Sequence, residues 1–595
     1  MRHILLGIIL STISVHCLGV TAEKHCRCQP NQPCWPAASA WSNLNKQVHG
    51  RLIQPVQPIA ACEADANSPA CTTAIKNIHN PYYIESNPGA TQSQGWMNAW
   101  KNSPSVYAVA AQSANDVAAA VKFARKYHLK VVVKGTGHDY LGRSNGADSL
   151  LIWTHNMRQI QINDRFIPSG CHDKQGIPAI TVSAGTRWLE AYGEVTTRHH
   201  RYVQGGGCAT VGAAGGFPQG GGFGSFSKNF GTGAAGILQA EIVTANGEIV
   251  TANRCQNQDL FWAIRGGGAG TFGVVTRLTL KTHPLPDNFG SLQGTITAKN
   301  DAAYKKLIEE FLKFYREKLN NEHWGEQFSF HPDNTIKLAM VFQGLNKNQV
   351  QEIWIPFKKW IQEHAEEYTF TDNIIVMPAR HWWDYRYLEK HYPQYITFNT
   401  ENDAQPGQFW WTSNSNEVSK YWYTYQSWWL PLALLDNDHI KQLGETFYKA
   451  SRLTSATLHI NKGLAGGSPE AIRQTAATAT NPSVNNAAGL IIMSAGSNTV
   501  YPGVKGQSPD LNDAAIASQK VTQAMQLFVQ AAPEAGTYVN EADYFQKDWQ
   551  KAFWGNNYQR LLAIKKKYDP DGIFYCHHCV GSELWTRNGM CRVNS

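Results

Sequence analysis

Residues 205–236 read GGGCATVGAAGGFPQGGGFGSFSKNFGTGAAG and hold 13 of the chain's 50 glycines. No packed helix or strand tolerates that density, because each glycine surrenders more conformational freedom on folding than any other residue. The run must therefore bring backbone close to something, and consecutive glycines allow many N–H groups to converge on an anion such as a phosphate. It also carries one reactive side chain, Cys208. Gly231-Thr-Gly233-Ala-Ala-Gly236 matches GxGxxG, but it precedes the apolar run Ile237 to Thr244, which reads as a strand. A dinucleotide fingerprint follows a strand and opens a helix, so that reading is rejected.

Upstream, GTGHDYLGRSN (135–145) forms a second glycine-bearing turn directly after the apolar run Val131, Val132, Val133 and sets His138 at a strand end. A histidine and a cysteine on two glycine-rich loops are open to three readings: a metal pair, a catalytic pair, or two anchors of a cofactor. Spacing alone does not choose among them.

The stretches GTGHDYLGRS, GGGCATVG, DLFWAIRGGGAGTFGVV (259–275) and, near the C-terminus, YVNEADYF (538–545) with WGNNYQRLLAIKKKYDPDGIF (554–574) occur in this order. Together they resemble the secreted berberine-bridge-type branch of the vanillyl-alcohol-oxidase flavoprotein family. The resemblance covers about 100–285 and 536–575, whereas 286 to about 530 matches in character only. It implies an α+β fold: a two-lobed PCMH-type FAD-binding domain at 99–285, and a substrate domain with an antiparallel sheet and covering helices at 286–535. A C-terminal segment, 536–595, is implied to pack back on the FAD domain.

Carried onto this sequence, the resemblance implies FAD bonded through its 8α carbon to His138 and through C6 to Cys208. It places the pyrophosphate on backbone amides of Gly135, Thr136, Gly137, Asp139 and Gly212. Close approach is then permitted by Gly215, Gly216, Gly220, Gly221 and Gly222, with a hydroxyl from Ser144. Asn557 and Tyr558 resemble residues that return to line the flavin. Flavin oxidation of an alcohol needs a hydride donor aimed at the ring and a base for the hydroxyl proton. Relatives often carry tyrosine two places before the aspartate of a YxNYxD motif; here Tyr538-Val-Asn540-Glu541-Ala-Asp543 has Glu541 in that place. Glu541 is thus the candidate base, with Tyr538 and Asp543 beside it, and Tyr385, Tyr387 and Tyr395 next in line. If 538–543 is a strand, Asp543 shares Glu541's face and raises its pKa as a like charge.

The expected activity is an FAD-dependent oxidase that moves a hydride from an alcohol or sugar carbon to the flavin and then to O2, giving H2O2. A dehydrogenase or oxidative cyclase with another acceptor, and a non-catalytic carbohydrate-binding flavoprotein, are the rivals.

With 595 residues and 43% apolar content the chain is long enough for two or more cored domains. Its charge of +8 is spread without a basic block, so nucleic acid is not a favoured partner. Arg2, the apolar run from Ile4 to Leu10, and Val20-Thr21-Ala22 read as an export signal over 1–22, and no later stretch is apolar enough to span a bilayer. The expected location is secreted, extracellular or periplasmic.

Residues 23–98, rich in Cys, Pro and Asn, read as a disulfide-held extension. Of 12 cysteines one lies in the signal. If Cys208 is spent on a cofactor, the remaining ten pair evenly. Cys576-His577-His578-Cys579 has a zinc-like look, but in an exported chain it reads as a disulfide, and no metal is expected.

Ser113 and Asp116 have capping-box spacing ahead of the apolar face Val117, Ala120, Val121, Ala124, Tyr127. Strands are expected at 105–110, 131–133, 150–153, 180–184, 237–244 and 274–280, with Asn246-Gly247 as a two-residue hairpin turn before Ile249. Amphipathic stretches at 303–319, 350–368, 440–451 and 514–529 alternate with strand-like runs at 335–342 and 490–493. The same region carries Trp382, Trp383, Trp410, Trp411, Trp422, Trp428 and Trp429, as candidate substrate wall or core.

Overall fold

The computed structural model describes residues 26–593; the export segment at 1–22 lies outside them. Two sheets build the first lobe. Val131 to Val133 sit in the strand Lys130–Lys134, which pairs in parallel with Ser149–Trp153, itself parallel to Tyr107–Ala110. The connecting helix Ala114–Lys126 starts at a complete capping box, the Ser113 hydroxyl accepting from Asp116 N–H while the Asp116 carboxylate accepts from Ser113 N–H. Its buried Val117, Ala120, Val121 and Ala124 pack onto the sheet.

The second sheet runs antiparallel, Ile249–Asn253, Ile237–Val243, Val274–Pro284, Ile177–Ser183, Ile160–Phe166. Its hairpin differs from the expected two-residue turn. Gly247 N–H bonds to Thr244 O and Thr244 N–H to Glu248 O, which makes a three-residue loop. A two-residue turn of Asn-Gly type needs positive φ at both residues, and only Gly247 has it, at +76°.

The second lobe is a nine-stranded sheet centred on the long strands Asn288–Ala298, Thr335–Gln343, Lys420–Pro431 and Ala487–Ser497. Helices Asp301–Phe314, Ile440–Leu453 and Leu511–Ala531 carry the apolar faces read from the sequence. The helix expected to reach 368 stops at Glu363, and Tyr368 already opens a strand paired to Ala298. The segment before residue 98 is more than a wrapping: Ser93–Trp96 joins the nine-stranded sheet beside Lys420–Pro431, in parallel. It also reaches the first lobe. Lys134 Nζ, wholly buried, donates to the carbonyls of Pro88 and Ala90, and buried Arg187 pairs with buried Glu85.

Ten cysteines form five disulfides, 26–591, 28–34, 62–71, 171–255 and 576–579, and among the described residues only Cys208 is free. The even pairing of the other ten agrees with the sequence reading, and the CHHC motif is closed by its own disulfide. No helix among the described residues is long and apolar enough to cross a membrane.

The C-terminal segment returns onto the first lobe. Trp554 is fully buried and donates through Nε1 to Gly266 O at 3.0 Å. Lys565 Nζ, also buried, donates to Thr271 O, Phe574 O and Asp569, each at 2.6 Å. Trp554→Ala should therefore cost about 3–5 kcal/mol, the usual loss for a large buried aromatic, and denaturant unfolding of the variant against the parent measures it.

Candidate active site

One cavity of about 690 Å³ lies between the lobes. Its first wall is the loop after Lys130–Lys134, with Gly135, Thr136, Gly137, His138, Asp139 and Ser144, and the run holding Cys208, Gly212, Gly215 and Gly216. Among the described residues none accepts a hydrogen bond from the N–H of Gly135, Thr136, Gly137, His138, Asp139 or Gly212. Five of these donors are consecutive, and all six residues line the cavity. The Asp139 carboxylate is occupied by Arg143, 2.6 Å from both its backbone N–H and its Nε, so its charge is neutralised beside these donors.

The glycines divide into two groups by what a side chain would strike. A Cβ on Gly212, Gly215 or Gly216 meets no protein atom closer than 3.5 Å, so packing does not demand glycine there; the room they leave belongs to the cavity. At Gly220 a Cβ would sit 2.5 Å from the Asn540 amide, and at Gly222, where φ is +77°, 2.8 Å from the Phe217 ring. Gly221, with φ +124°, faces Tyr538 and Thr480. Gly220, Gly221 and Gly222 do not line the cavity; they let the C-terminal segment come close, and Gly222 N–H bonds to Tyr538 Oη at 3.1 Å. This corrects their expected place against a pyrophosphate.

His138 and Cys208 meet on the cavity wall. His138 Nε2 lies 2.9 Å from Thr210 Oγ1, which is 3.9 Å from Cys208 Sγ. Burial lowers the His138 pKa to about 4, so its ring is neutral and nucleophilic at ordinary pH. Burial, reinforced by Glu417, raises that of the Cys208 thiol.

The opposite wall comes from the second lobe and the C-terminal turn: Glu326, Trp382, Trp383, Tyr395, Trp411, Glu417, Tyr425, His459, Lys462, Tyr538 and Glu541 all line it. Glu541 forms an ion pair with Lys462, a residue from a distant part of the chain. Residues 538–541 form a turn, Glu541 N–H bonding to Tyr538 O at 2.9 Å. Strand alternation therefore fails, and Asp543 points out of the cavity, accepting from Gln426 Nε2 at 3.1 Å and Phe545 N–H at 3.0 Å. Asn557 and Tyr558 also miss the cavity: Asn557 Nδ2 donates to Thr480 O, and the Tyr558 hydroxyl to Glu583. They fasten the C-terminal helix. Tyr385 and Tyr387 do not line the cavity, whereas Tyr395 does. Of the seven tryptophans, Trp382, Trp383 and Trp411 line it, and Trp410, Trp422, Trp428 and Trp429 are buried core.

Sequence reading missed Lys462, Glu326, Glu417, Tyr140 and Tyr425. Tyr140 and Tyr425 rings stand 5.1 Å apart, and the Tyr140 hydroxyl faces Glu417 at 3.4 Å. Burial, with Glu417 and Glu541 nearby, pushes the Tyr140 pKa far up, and burial with Glu541 does the same for Tyr425, so both are hydrogen-bond donors and poor bases. A signal for Glu326 does exist in the backbone. It is held at φ +63° within the strand Trp324–Phe330, its carboxylate accepts from the Ser225 hydroxyl, and burial raises its pKa.

Unpartnered backbone N–H groups and two nucleophiles on one wall, with a polar, aromatic-lined space opposite, fit FAD. A family model described as FAD binding domain matches 105–253, and one described as berberine and berberine like matches 537–581. The chain is 30% identical over 607 aligned positions to an FAD-linked oxidoreductase of Arthroderma benhamiae, covering 96% of each. A crystallised VAO-type flavoprotein of Myceliophthora thermophila C1, 26% identical, superposes with a TM-score of 0.78 over 96% of this chain and 100% of that one. Glucooligosaccharide oxidase of Acremonium strictum, described with 6-S-cysteinyl, 8α-N1-histidyl FAD, shares the fold at 20% identity, with a TM-score of 0.61 over 88% of this chain and 99% of that one. The chain belongs to the VAO-type, berberine-bridge-like family of FAD-linked oxidoreductases.

A left-handed non-glycine residue costs about 1–3 kcal/mol and persists where the site requires it. Glu326→Asn, which tolerates that conformation more readily, should leave thermal stability equal or raised, whereas Glu326→Val should lower it by ~1 kcal/mol or more. Thermal melts of the two variants give the comparison.

Proposed function

We propose that this oxidoreductase is a secreted oxidase that takes a hydride from an alcohol or sugar carbon and delivers the electrons to O2, giving H2O2. The carrying observation is the cavity between the lobes, with unpartnered backbone N–H groups and two nucleophiles facing a carboxylate–lysine pair and aromatic walls. The export segment and five disulfides support an oxidising compartment.

Gly135 to Asp139, Ser144, Gly212, Gly215 and Gly216 would hold the cofactor, with His138 and Cys208 as its two covalent anchors. Bound FAD supplies a two-electron acceptor that dioxygen can reoxidise. Glu541 takes the proton of the substrate hydroxyl. Lys462, ion-paired with that carboxylate, holds it in place. Tyr140 and Tyr425, held protonated, donate hydrogen bonds to the substrate, while Trp382, Trp383 and Trp411 exclude water and offer flat faces to a sugar ring. The domain limits at 99–285, 286–535 and 536–595 belong to the same proposal.

Peroxide release under air, screened with primary alcohols and with mono- and oligosaccharides, tests the reading. Reduction of a dye without peroxide would replace the oxidase by a dehydrogenase. His138→Ala and Cys208→Ala should each keep flavin in an acid-precipitated pellet, and only the double variant should release it; free flavin from either single variant would leave one anchor. Glu541→Gln should slow flavin reduction by about 10²–10⁴-fold with the flavin spectrum unchanged. A rate near that of the parent would remove Glu541 from the role and make Tyr395 the next base to test.

A further inference from the structure

Thr210 takes no part in the reading above, yet it is the residue that joins the two anchors. It is fully buried, and it sits two places after Cys208 on the glycine run, facing the loop that carries His138. Its hydroxyl oxygen is 2.9 Å from His138 Nε2 and 3.9 Å from Cys208 Sγ. The Thr210 backbone faces the same ring, so both hydrogen-bonding groups against His138 belong to Thr210.

A neutral imidazole has one N–H and one lone pair, and the partner of one nitrogen decides which is which. With Nε2–H donated to Thr210 Oγ1, the lone pair is on Nδ1, the nitrogen left without a protein partner. The Thr210 hydroxyl proton is then free for the sulfur, where a donor favours thiolate over thiol. In that tautomer one hydroxyl accepts from one nucleophile and can donate to the other.

We propose that Thr210 is the positioning residue for flavin attachment, fixing the His138 tautomer and supporting the Cys208 thiolate. The inference rests on the double-anchor reading. Each attachment forms one bond, Nδ1 to the 8α carbon or Sγ to C6. Each removes one C–H bond together with one N–H or S–H bond. The two electrons released reduce the flavin, and dioxygen takes them with two protons as H2O2. Thr210 is neither consumed nor bonded; it sets how fast each nucleophile attacks.

The experiment follows covalent attachment rather than turnover. Full-length Thr210→Val and Thr210→Ser are purified after brief expression, incubated with excess FAD, and the fraction carrying flavin is followed by intact mass. His138→Ala and Cys208→Ala backgrounds report the cysteinyl and histidyl bonds separately. Valine keeps the shape and removes the hydroxyl, so both attachments should slow by about 10–100-fold, the range for one lost buried hydrogen bond. Non-covalent flavin binding and the melting temperature should stay within error of the parent. Serine restores the hydroxyl and should restore attachment to within a few-fold. Attachment of the valine variant at the parent rate, or a serine variant as slow as valine, would overturn the inference. Should valine abolish flavin binding altogether, the serine variant decides alone, a tenfold slower attachment counting against the hydroxyl. A parent chain with no covalent flavin sinks the double-anchor reading together with this one, whereas a doubly attached parent and an unaffected valine variant sink this one only.

Discussion

Close approach of backbone at glycines, within the run Gly205 to Gly236 and across the lobes at Gly325, is the constraint on which the shape of the cavity rests. A side chain on Gly205 would strike Trp188, one on Gly224 would strike the Gly205 carbonyl, and across the interface one on Gly325 would strike the Ser225 carbonyl. The strand Trp324–Phe330 is thereby pressed onto the run that bears Cys208, and Glu326 is turned into the shared space. The same glycine run leaves Gly212, Gly215 and Gly216 open toward the cavity. Interiors are packed too densely for these positions to be exchanged with larger residues at no cost.

Charge in the cavity follows from that geometry. Glu326, Glu417 and Glu541 come from three separate parts of the chain, and Lys462 is paired with one of them. Burial raises the pKa of Glu326, and of Glu417 with a further contribution from Glu541. Tyr140 and Tyr425 are pushed in the same direction, since burial keeps their protons on.

Legibility in the sequence tracked locality. His138 and Cys208 stood out because a nucleophile on a glycine-rich loop is a short-range pattern, and the structure brings the two to one hydroxyl. Helix Ala114–Lys126 was readable from its capping box and apolar face for the same reason. Lys462, Glu417 and Glu326 were not, because a lone lysine or glutamate in a strand or a connecting turn carries no mark until the sheet is assembled. The misplacements share one cause: Asp543 was assigned by strand alternation that a turn at 538–541 cancels, and Asn557, Tyr558 and Gly220 to Gly222 were assigned to a ligand where the protein's own packing uses them. Glycine density identifies close approach, without saying whether the neighbour is a phosphate or another piece of backbone.

The bond between Cys26 and Cys591 joins residues 565 positions apart and turns nearly the whole described chain into a covalent ring. At ~5–20 residues per second of synthesis, the first of these cysteines waits about half a minute to two minutes for its partner to be made. Closure of the ring is therefore a late event in the molecule's biogenesis, and it requires an oxidising surrounding at that moment. Once closed, a protease cut in any loop between the two leaves a single covalent body, and the nick becomes visible only after reduction.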